Sequence, residues 1–176
     1  QTLELLENRK IDIGLIGKPN SLKNLDFCAV GEIEDIFVAT GSYLENLKLR
    51  ESSAKKLRNS LMLSSDIFRS ANVMLLDEKN MTRLYIDDYF TKNQVETNQI
   101  LEVSNMDLLI EFAKIGLGVS CVIKEFVQTE LTEGILVEIP LEKSLGKREV
   151  GFAYRNTVAL SDSIQKFIAF FNNLAE

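Results

Sequence analysis

Short apolar runs rich in β-branched residues alternate along this chain with segments whose apolar residues recur at helical spacing, and this alternation constrains the fold more than any other feature. The clearest helical face consists of Met106, Leu109, Ile110, Ala113 and Leu117. Candidate N-caps precede it, and a buried-type strand at 119–123 follows it. Because strands alternate with helices, we expect a largely parallel sheet that is covered by helices.

The other predicted elements come from the same two periodicities. Strands are predicted at 11–17, 27–30, 36–39, 73–76, 100–103, 135–139 and 149–154. Helices are predicted at the start of the chain, weakly within 40–60, at 81–90, around 126–131 and around the stripe at 164–171. Ligands of such sheets bind at the carboxyl ends of strands, often against helix N-termini.

The composition argues against several classes of function. The chain has no histidine, which removes the commonest general base and the commonest zinc ligand. Its net charge of −6 and pI of about 4.9 match the phosphate backbone of DNA poorly. No apolar run approaches the roughly 20 residues that span a bilayer. We therefore expect no enzyme, no catalytic residues, no metal, no cofactor, no membrane association and no direct contact with nucleic acid.

The two cysteines, Cys28 and Cys121, lie in the apolar runs DFCAV and VSCVI, without a second thiol nearby in the sequence. Cysteine in such a run is typical of a buried, reduced residue in a strand, and nothing in the sequence supports a disulfide between the two. This usage fits a reducing compartment, so we expect a cytoplasmic protein.

The glycine pair Gly116 and Gly118 lies between a helix and a strand. A nucleotide-binding fingerprint needs the opposite order, a strand followed by glycines and then a helix, and it needs a third glycine. We therefore interpret the pair as a helix C-cap and a close approach of two backbones.

The acidic groups of the sequence are interpreted as solvated surface. They are Asp87 with Asp88, Glu32 with Glu34 and Asp35, and Asp77 with Glu78.

Arg83 lies early in a predicted helix, where a positive charge opposes the macrodipole. That position suggests a specific carboxylate partner, either within the protein or on a ligand, and the structural partner is favoured.

Three turns follow predicted strands and carry hydroxyl, amide or free backbone N–H groups that suit a small anion or a polar metabolite. For each residue alone, plain capping or turn formation explains its presence. Convergence of the turns on one site would favour a ligand. The candidate residues are Ile16, Gly17 and Lys18 in the first turn, Asn80, Met81 and Thr82 in the second, and Ser104 and Asn105 in the third.

Several segments, taken in order, resemble the effector-binding domain of LysR-type transcriptional regulators. They are LLENRKIDIGLIG, VSNMDLLIEFAKIGLGVSCVIKEFV, ELTEGILVEIPL followed by REVGFAYR, and the closing SDSIQKFIAFF. Met81-Thr82-Arg83 also matches the hydroxyl-then-arginine opening that is common at that place in the family. No single segment is specific, but the set covers the chain from Leu5 to about Phe171.

The resemblance implies an α/β fold of the type-2 periplasmic-binding-protein kind, with mixed sheets flanked by helices and a ligand cleft between two lobes. Lobe I would comprise residues 1–70 and 149–176, and lobe II residues 71–148. The ligand-binding residues would be those of the three turns. The partners implied are a small-molecule effector, which in this family is often an anionic metabolite, and further copies of the chain in a dimer or tetramer. DNA would be contacted only through a helix-turn-helix domain, which is expected to lie outside this chain. The effector-binding domain's first strand and most of its first helix are expected to lie outside it as well, so part of the effector site is expected to be missing.

Two other functions stay open at this stage. A solute-binding protein of a transporter would share the fold and would carry a secretion signal, which the amphipathic, acidic start of the chain does not resemble. An enzyme on a similar scaffold would need a nucleophile and a base, and the sequence offers no such pair.

Overall fold

The computed structural model of the protein describes residues 2–19, 21–54, 64–157 and 159–174. Its strands are β1 (Ile13–Gly17), β2 (Leu25–Ala39), β3 (Asn72–Leu76), β4 (Gln99–Val103), β5 (Val119–Ile123), β6 (Val137–Glu138) and β7 (Lys147–Arg155). Its helices are α1 (Thr2–Glu7), α2 (Gly41–Ala54), α3 (Ser64–Ser70), α4 (Met81–Lys92), α5 (Met106–Lys114), α6 (Gln128–Thr132) and α7 (Asp162–Leu174), with a 3₁₀ turn at Lys124–Phe126.

Contacts divide the chain into two compact units. The first comprises Gln1–Ile33 with Lys147–Glu176, and the second comprises Glu34–Gly146. The sequence predicts lobes at 1–70 with 149–176 and at 71–148. In the structure, residues 34–70 group with the second unit instead. The assignment of lobes within the family fold stays a prediction.

Strand β2 differs from the sequence prediction of two strands at 27–30 and 36–39. The acidic stretch between them does not break the strand, which runs through fifteen residues. Residues 29–32 are exposed, so the charge of Glu32 stays hydrated without a turn. Asp35 is buried, at 2% exposure, and the interpretation of this carboxylate as solvated surface was wrong.

In the first unit β1 pairs antiparallel with β7, which neighbours β2. Helix α1 covers the sheet, and the core is formed by Leu6, Ile16, Leu25 and Ala153. Helix α7 adds an aromatic cluster in which the Phe152 ring lies 4.8 Å from Phe167 and 4.9 Å from Phe171. The helical stripe predicted near the end of the chain is therefore confirmed.

The second unit is built on the strand order β2-β5-β3-β4, with β6 also paired to β2. Strand β3 is parallel to β4 and β5, whereas β2 is antiparallel to β5 and β6. The expectation of a largely parallel sheet holds only for β3, β4 and β5, because β2 enters from the other unit and pairs in the opposite direction. The short β6 forms two residues of the strand predicted at 135–139.

Helices cover both faces of this second sheet. One face packs against α2, α3 and α4, where Phe37 lies 4.7 Å from Phe68 and 5.7 Å from Phe90 between ring centroids. The other face packs Met74, Leu76 and Val122 against α5. Alternate residues of one strand thus enter two different cores, as the twofold period of a strand requires.

The predicted roles of the glycine pair are confirmed. Gly116 ends α5 with φ of +73°, and its N–H donates to the carbonyl oxygen of Ala113 at 2.9 Å. A Cβ atom added at Gly118 would collide with the backbone oxygen of Asn72, at the start of β3. Glycine is therefore needed where β5 begins beside β3.

Both cysteines are buried and free, Cys28 in β2 and Cys121 in β5, as predicted. The Sγ of Cys28 lies 3.0 Å from Oδ1 of Asn172 in α7.

Replacing Gly118 with alanine tests the close approach of β5 to β3. Overpacking against backbone usually costs about 1–3 kcal/mol, and we expect Gly118→Ala to lower the free energy of unfolding in urea by that amount. Gly31→Ala in β2 is the matched control, because a Cβ atom there meets nothing within 4 Å. Equal unfolding midpoints for the two variants would contradict the packing described.

Candidate functional site

The carboxyl ends of β3, β4 and β5 lie at one edge of the second unit's sheet, because the three strands are parallel. Leu76 of β3 lies opposite Val103 of β4, so the turns that leave these strands begin side by side. Helices α4 and α5 start from these two turns. The structure therefore brings two of the three predicted turns, 80–82 and 104–105, to the same edge.

The two asparagines at this edge cap the helices that follow them. Oδ1 of Asn80 accepts from the N–H of Thr82 at 2.9 Å, and Oδ1 of Asn105 accepts from the N–H of Leu108 at 2.9 Å. Met81 is half-buried in the first turn of α4, and Ser104 is exposed. Capping is thus an established role of Asn80 and Asn105, and whether either also contacts a ligand stays a prediction.

Arg83 links both turns to α4. Its Nε donates to the two carboxylate oxygens of Asp87 at 2.9 and 3.0 Å, while Nη1 donates to the carbonyl oxygen of Leu76 at 3.0 Å and to Glu102 at 3.2 Å. Leu76 directly precedes one turn, and Glu102 lies two residues before Ser104 in the other. The sequence correctly favoured a structural partner for Arg83, but it gave no sign that the guanidinium group joins two turns.

The side chain of Arg83 is only 7% exposed. Burial alone lowers the pKa of this guanidinium group, but the hydrogen bonds and negative charges of Asp87 and Glu102 outweigh that effect and raise the pKa above its ordinary value. The group therefore stays charged, and its charge is matched by carboxylates of the protein.

Lys124 lies at the same edge of the sheet, directly after the end of β5. Its Nζ lies 3.1 Å from Glu138 and 3.4 Å from Glu34, and the backbone N–H of Glu34 donates to Glu125 at 3.2 Å. The hydrogen bond with Glu138 is the main cause of the raised pKa of Lys124. Sequence reasoning missed Lys124, although the rule that selected the other turns, a polar residue after a strand, applies to it as well.

The remaining predicted turn, at 16–18, belongs to the first unit. Ile16 is buried opposite Gly151, and Gly17, which ends β1, lies opposite Val150. Lys18 is exposed, and its ammonium group pairs with the carboxylate of Glu149. Its backbone N–H also donates to the carbonyl oxygen of Glu149 at 2.8 Å.

Both cations that would favour an anionic ligand, Lys18 and Arg83, thus have carboxylate partners in the protein. Side-chain charge at these two positions is already balanced. Attraction for an anion would have to come from the backbone N–H groups in the first turns of α4 and α5, which carry the positive end of the helix dipoles.

The family model described as LysR substrate binding domain matches residues 1–176, the whole chain. The chain belongs to this family. As a LysR substrate-binding domain, it is the small-molecule effector-sensing domain of a LysR-type transcription regulator. The resemblance stated from the sequence segments is confirmed.

Solved structures show the fold of this LysR substrate-binding domain. The regulatory domain of CcmR from Synechocystis PCC6803, in complex with 2-PG, is 15% identical with a TM-score of 0.76, over 99% of this chain and 78% of that one. The effector binding domain of QuiR in complex with shikimate is 15% identical with a TM-score of 0.70, over 97% and 74%. The apo regulatory domain of HypT from Salmonella typhimurium is 15% identical with a TM-score of 0.72, over 99% and 77%. The α/β, periplasmic-binding-protein-like fold is therefore confirmed.

No curated protein matches the sequence. In the ranges that the structure describes, no helix is both long and apolar enough to cross a membrane.

Arg83→Gln tests the link between the two turns. It removes the charge and the bidentate contact, and hydrogen bonds to charged groups contribute about 1.5–3 kcal/mol, so we expect the free energy of unfolding to fall by about 2 kcal/mol. The matched control is Lys92→Gln on the same helix, which removes only the exposed pair with Asp88 and should change stability by less than about 0.5 kcal/mol. Similar losses in the two variants, measured by chemical denaturation, would show that Arg83 does not hold this edge.

Proposed function

We propose that this LysR substrate-binding domain binds its effector at the carboxyl edge of the second unit's sheet, against the first turns of α4 and α5. The observation that carries this proposal is the convergence of two capped helix N-termini on one sheet edge. The first turns of helices present backbone N–H groups without intrahelical acceptors, and these bind anionic or polar groups. Met81, Thr82 and Ser104 are the residues proposed to contact the effector there.

The contribution of Ile16, Gly17 and Lys18 is proposed from the family resemblance. They lie at the end of β1, a strand end of the kind that carries ligand sites in α/β sheets. Since Lys18 is paired with Glu149, its side chain would serve an anion only by sharing or exchanging that partner.

A small metabolite is the proposed class of effector. The related domains of CcmR and QuiR were solved with 2-PG and with shikimate. Because the backbone N–H groups at the edge carry partial positive charge, an anionic metabolite is the first class to test.

The proposed mechanism is a shift in population and not catalysis. An effector that binds one conformation of the domain better than another moves the equilibrium by the difference in affinity. That shift would be passed through a homo-oligomer to a helix-turn-helix DNA-binding domain of a cytoplasmic regulator. Of the alternatives, a solute-binding protein of a transporter is less supported, because the family match is to the regulator's domain.

Thermal unfolding with a panel of organic acids and amino acids tests the proposal. A ligand at 100 times its dissociation constant adds about 2.7 kcal/mol of stability, which corresponds to about 5–10 °C in Tm for a domain of this size. We expect one chemical class to give such a shift and Thr82→Ala or Lys18→Ala to abolish it while the unliganded Tm is retained.

The control is Thr91→Ala, which changes the same residue type at the other end of α4. A shift lost in Thr82→Ala but kept in Thr91→Ala locates the effector at the N-terminus of α4. A shift that survives Thr82→Ala, Lys18→Ala and their combination would place binding elsewhere and overturn the proposed site. If no compound changes the Tm, the proposed effector class is wrong.

A further inference from the structure

Two tyrosines on one face of α4 hold a distant segment of the second unit. Tyr85 and Tyr89 are four residues apart, so their side chains project from adjacent turns. The hydroxyl of Tyr85 donates to the carbonyl oxygen of Leu145, and that of Tyr89 donates to the carbonyl oxygen of Lys143 at 2.6 Å. Helix α4 is therefore bonded to a segment more than fifty residues away in the chain.

The segment held in this way is the last part of the second unit. Leu145 is buried in the core beneath α4, and Gly146, with φ of +77°, is the final residue of the unit. Lys147 begins β7, where the chain continues into the first unit. The two tyrosine hydroxyls thus fix the backbone immediately before the chain leaves the second unit.

The same helix begins at the proposed effector site. Asn80 caps it, and Tyr85 lies five residues further on, about 7.5 Å along the helix axis. Arg83, on the other side of the helix, ties it to the ends of β3 and β4. A helix of twelve residues moves as a stiff unit over such a distance, so a displacement of its first turn is carried to Tyr85 and Tyr89.

The two bonds require neutral hydroxyls, because only a protonated tyrosine can donate to a carbonyl oxygen. Burial, and then the charge of Glu142, raise the pKa of Tyr89 above its ordinary value. The hydroxyl of Tyr89 is therefore a donor throughout the neutral range of pH.

We propose that Tyr85 and Tyr89 are positioning residues that couple the first turn of α4, at Asn80–Thr82, to the exit segment 143–146. The inference rests on the proposed function, because it names the route by which a change at that effector site leaves the second unit. The coupling itself needs no effector, so it is testable without one.

Amide hydrogen exchange by NMR on the whole chain measures the coupling in both directions. Tyr85→Phe and Tyr89→Phe remove only the hydroxyls, and losing one hydrogen bond changes an opening equilibrium by about fivefold. We expect each variant to speed exchange of the Gly146 amide, which donates to Oγ of Ser144 at 3.0 Å, by about that factor. By reciprocity, we also expect faster exchange of the Thr82 amide, which Asn80 caps.

The chain offers a matched control for each end of the route. Tyr43→Phe removes another tyrosine hydroxyl, one that accepts from the N–H of Asn72, and should leave 143–146 unchanged. Asn105→Ala removes the equivalent cap from α5, which packs on the opposite face of the sheet. We expect Asn80→Ala to speed exchange at Gly146, and Asn105→Ala to leave it unchanged.

A double variant separates coupling from general loosening. If the tyrosines carry the effect, Asn80→Ala adds nothing at 143–146 in a background that already carries Tyr85→Phe and Tyr89→Phe. Equal effects of Asn80→Ala and Asn105→Ala, or an unchanged Thr82 amide in the tyrosine variants, would overturn the proposal. Such a result would not contradict the proposed effector site, because the thermal shift tests that site separately.

Discussion

Burying the guanidinium group of Arg83 carries a desolvation cost, and the surrounding structure is arranged so that every contact it makes offsets that cost. The two oxygens of Asp87 hold the group in its own helix, and the carbonyl oxygen of Leu76 and the carboxylate of Glu102 attach it to two strands. A planar group with donors in fixed directions can join three elements at once, which a lysine ammonium could not do with the same geometry. The positions of the turns after β3 and β4, and with them the edge proposed to bind the effector, depend on this arrangement.

Local signals predicted a large part of this fold because their causes are local. The stripe of α5 from Met106 to Ala113 and the glycine that ends the helix were identified correctly, because spacing and backbone conformation depend on neighbouring residues alone. Leu117, which was assigned to the same stripe, lies beyond the end of the helix and is exposed. Asn80 and Asn105 likewise predicted the starts of their helices, because an N-cap residue bonds to the first turn that follows it. The two turns converge because β3 and β4 are parallel neighbours, a relation between strands that alternation along the chain suggested but could not fix in register.

The sequence predictions that were wrong or incomplete share a different cause. They concern residues whose partners are distant in the chain. A run of acidic residues looks like a turn unless the pairing of the whole strand is known. Strand β2 neighbours β7, and from Asp35 onward it pairs with β5 and β6. Asp35 is buried by the same pairing. Lys124 is bound by Glu34 and Glu138, residues 90 and 14 positions away, so its role depends on topology and not on local pattern. The balanced charges of Lys18 and Arg83 could not be foreseen for the same reason, and they change the chemistry that the site can offer.

Strand β2 has fifteen residues, about 50 Å if fully extended, and it contributes to the cores of both units. Successive side chains of a strand point to opposite faces, so one inserted or deleted residue in its exposed middle would invert every side chain on one side of the change. Leu25 would exchange faces with its polar neighbour Asp26, or Phe37 and Val38 would exchange cores. Insertions and deletions within β2 should therefore be rare among homologous sequences. Where they occur, they should come in pairs of residues or form a bulge that restores the alternation of side chains.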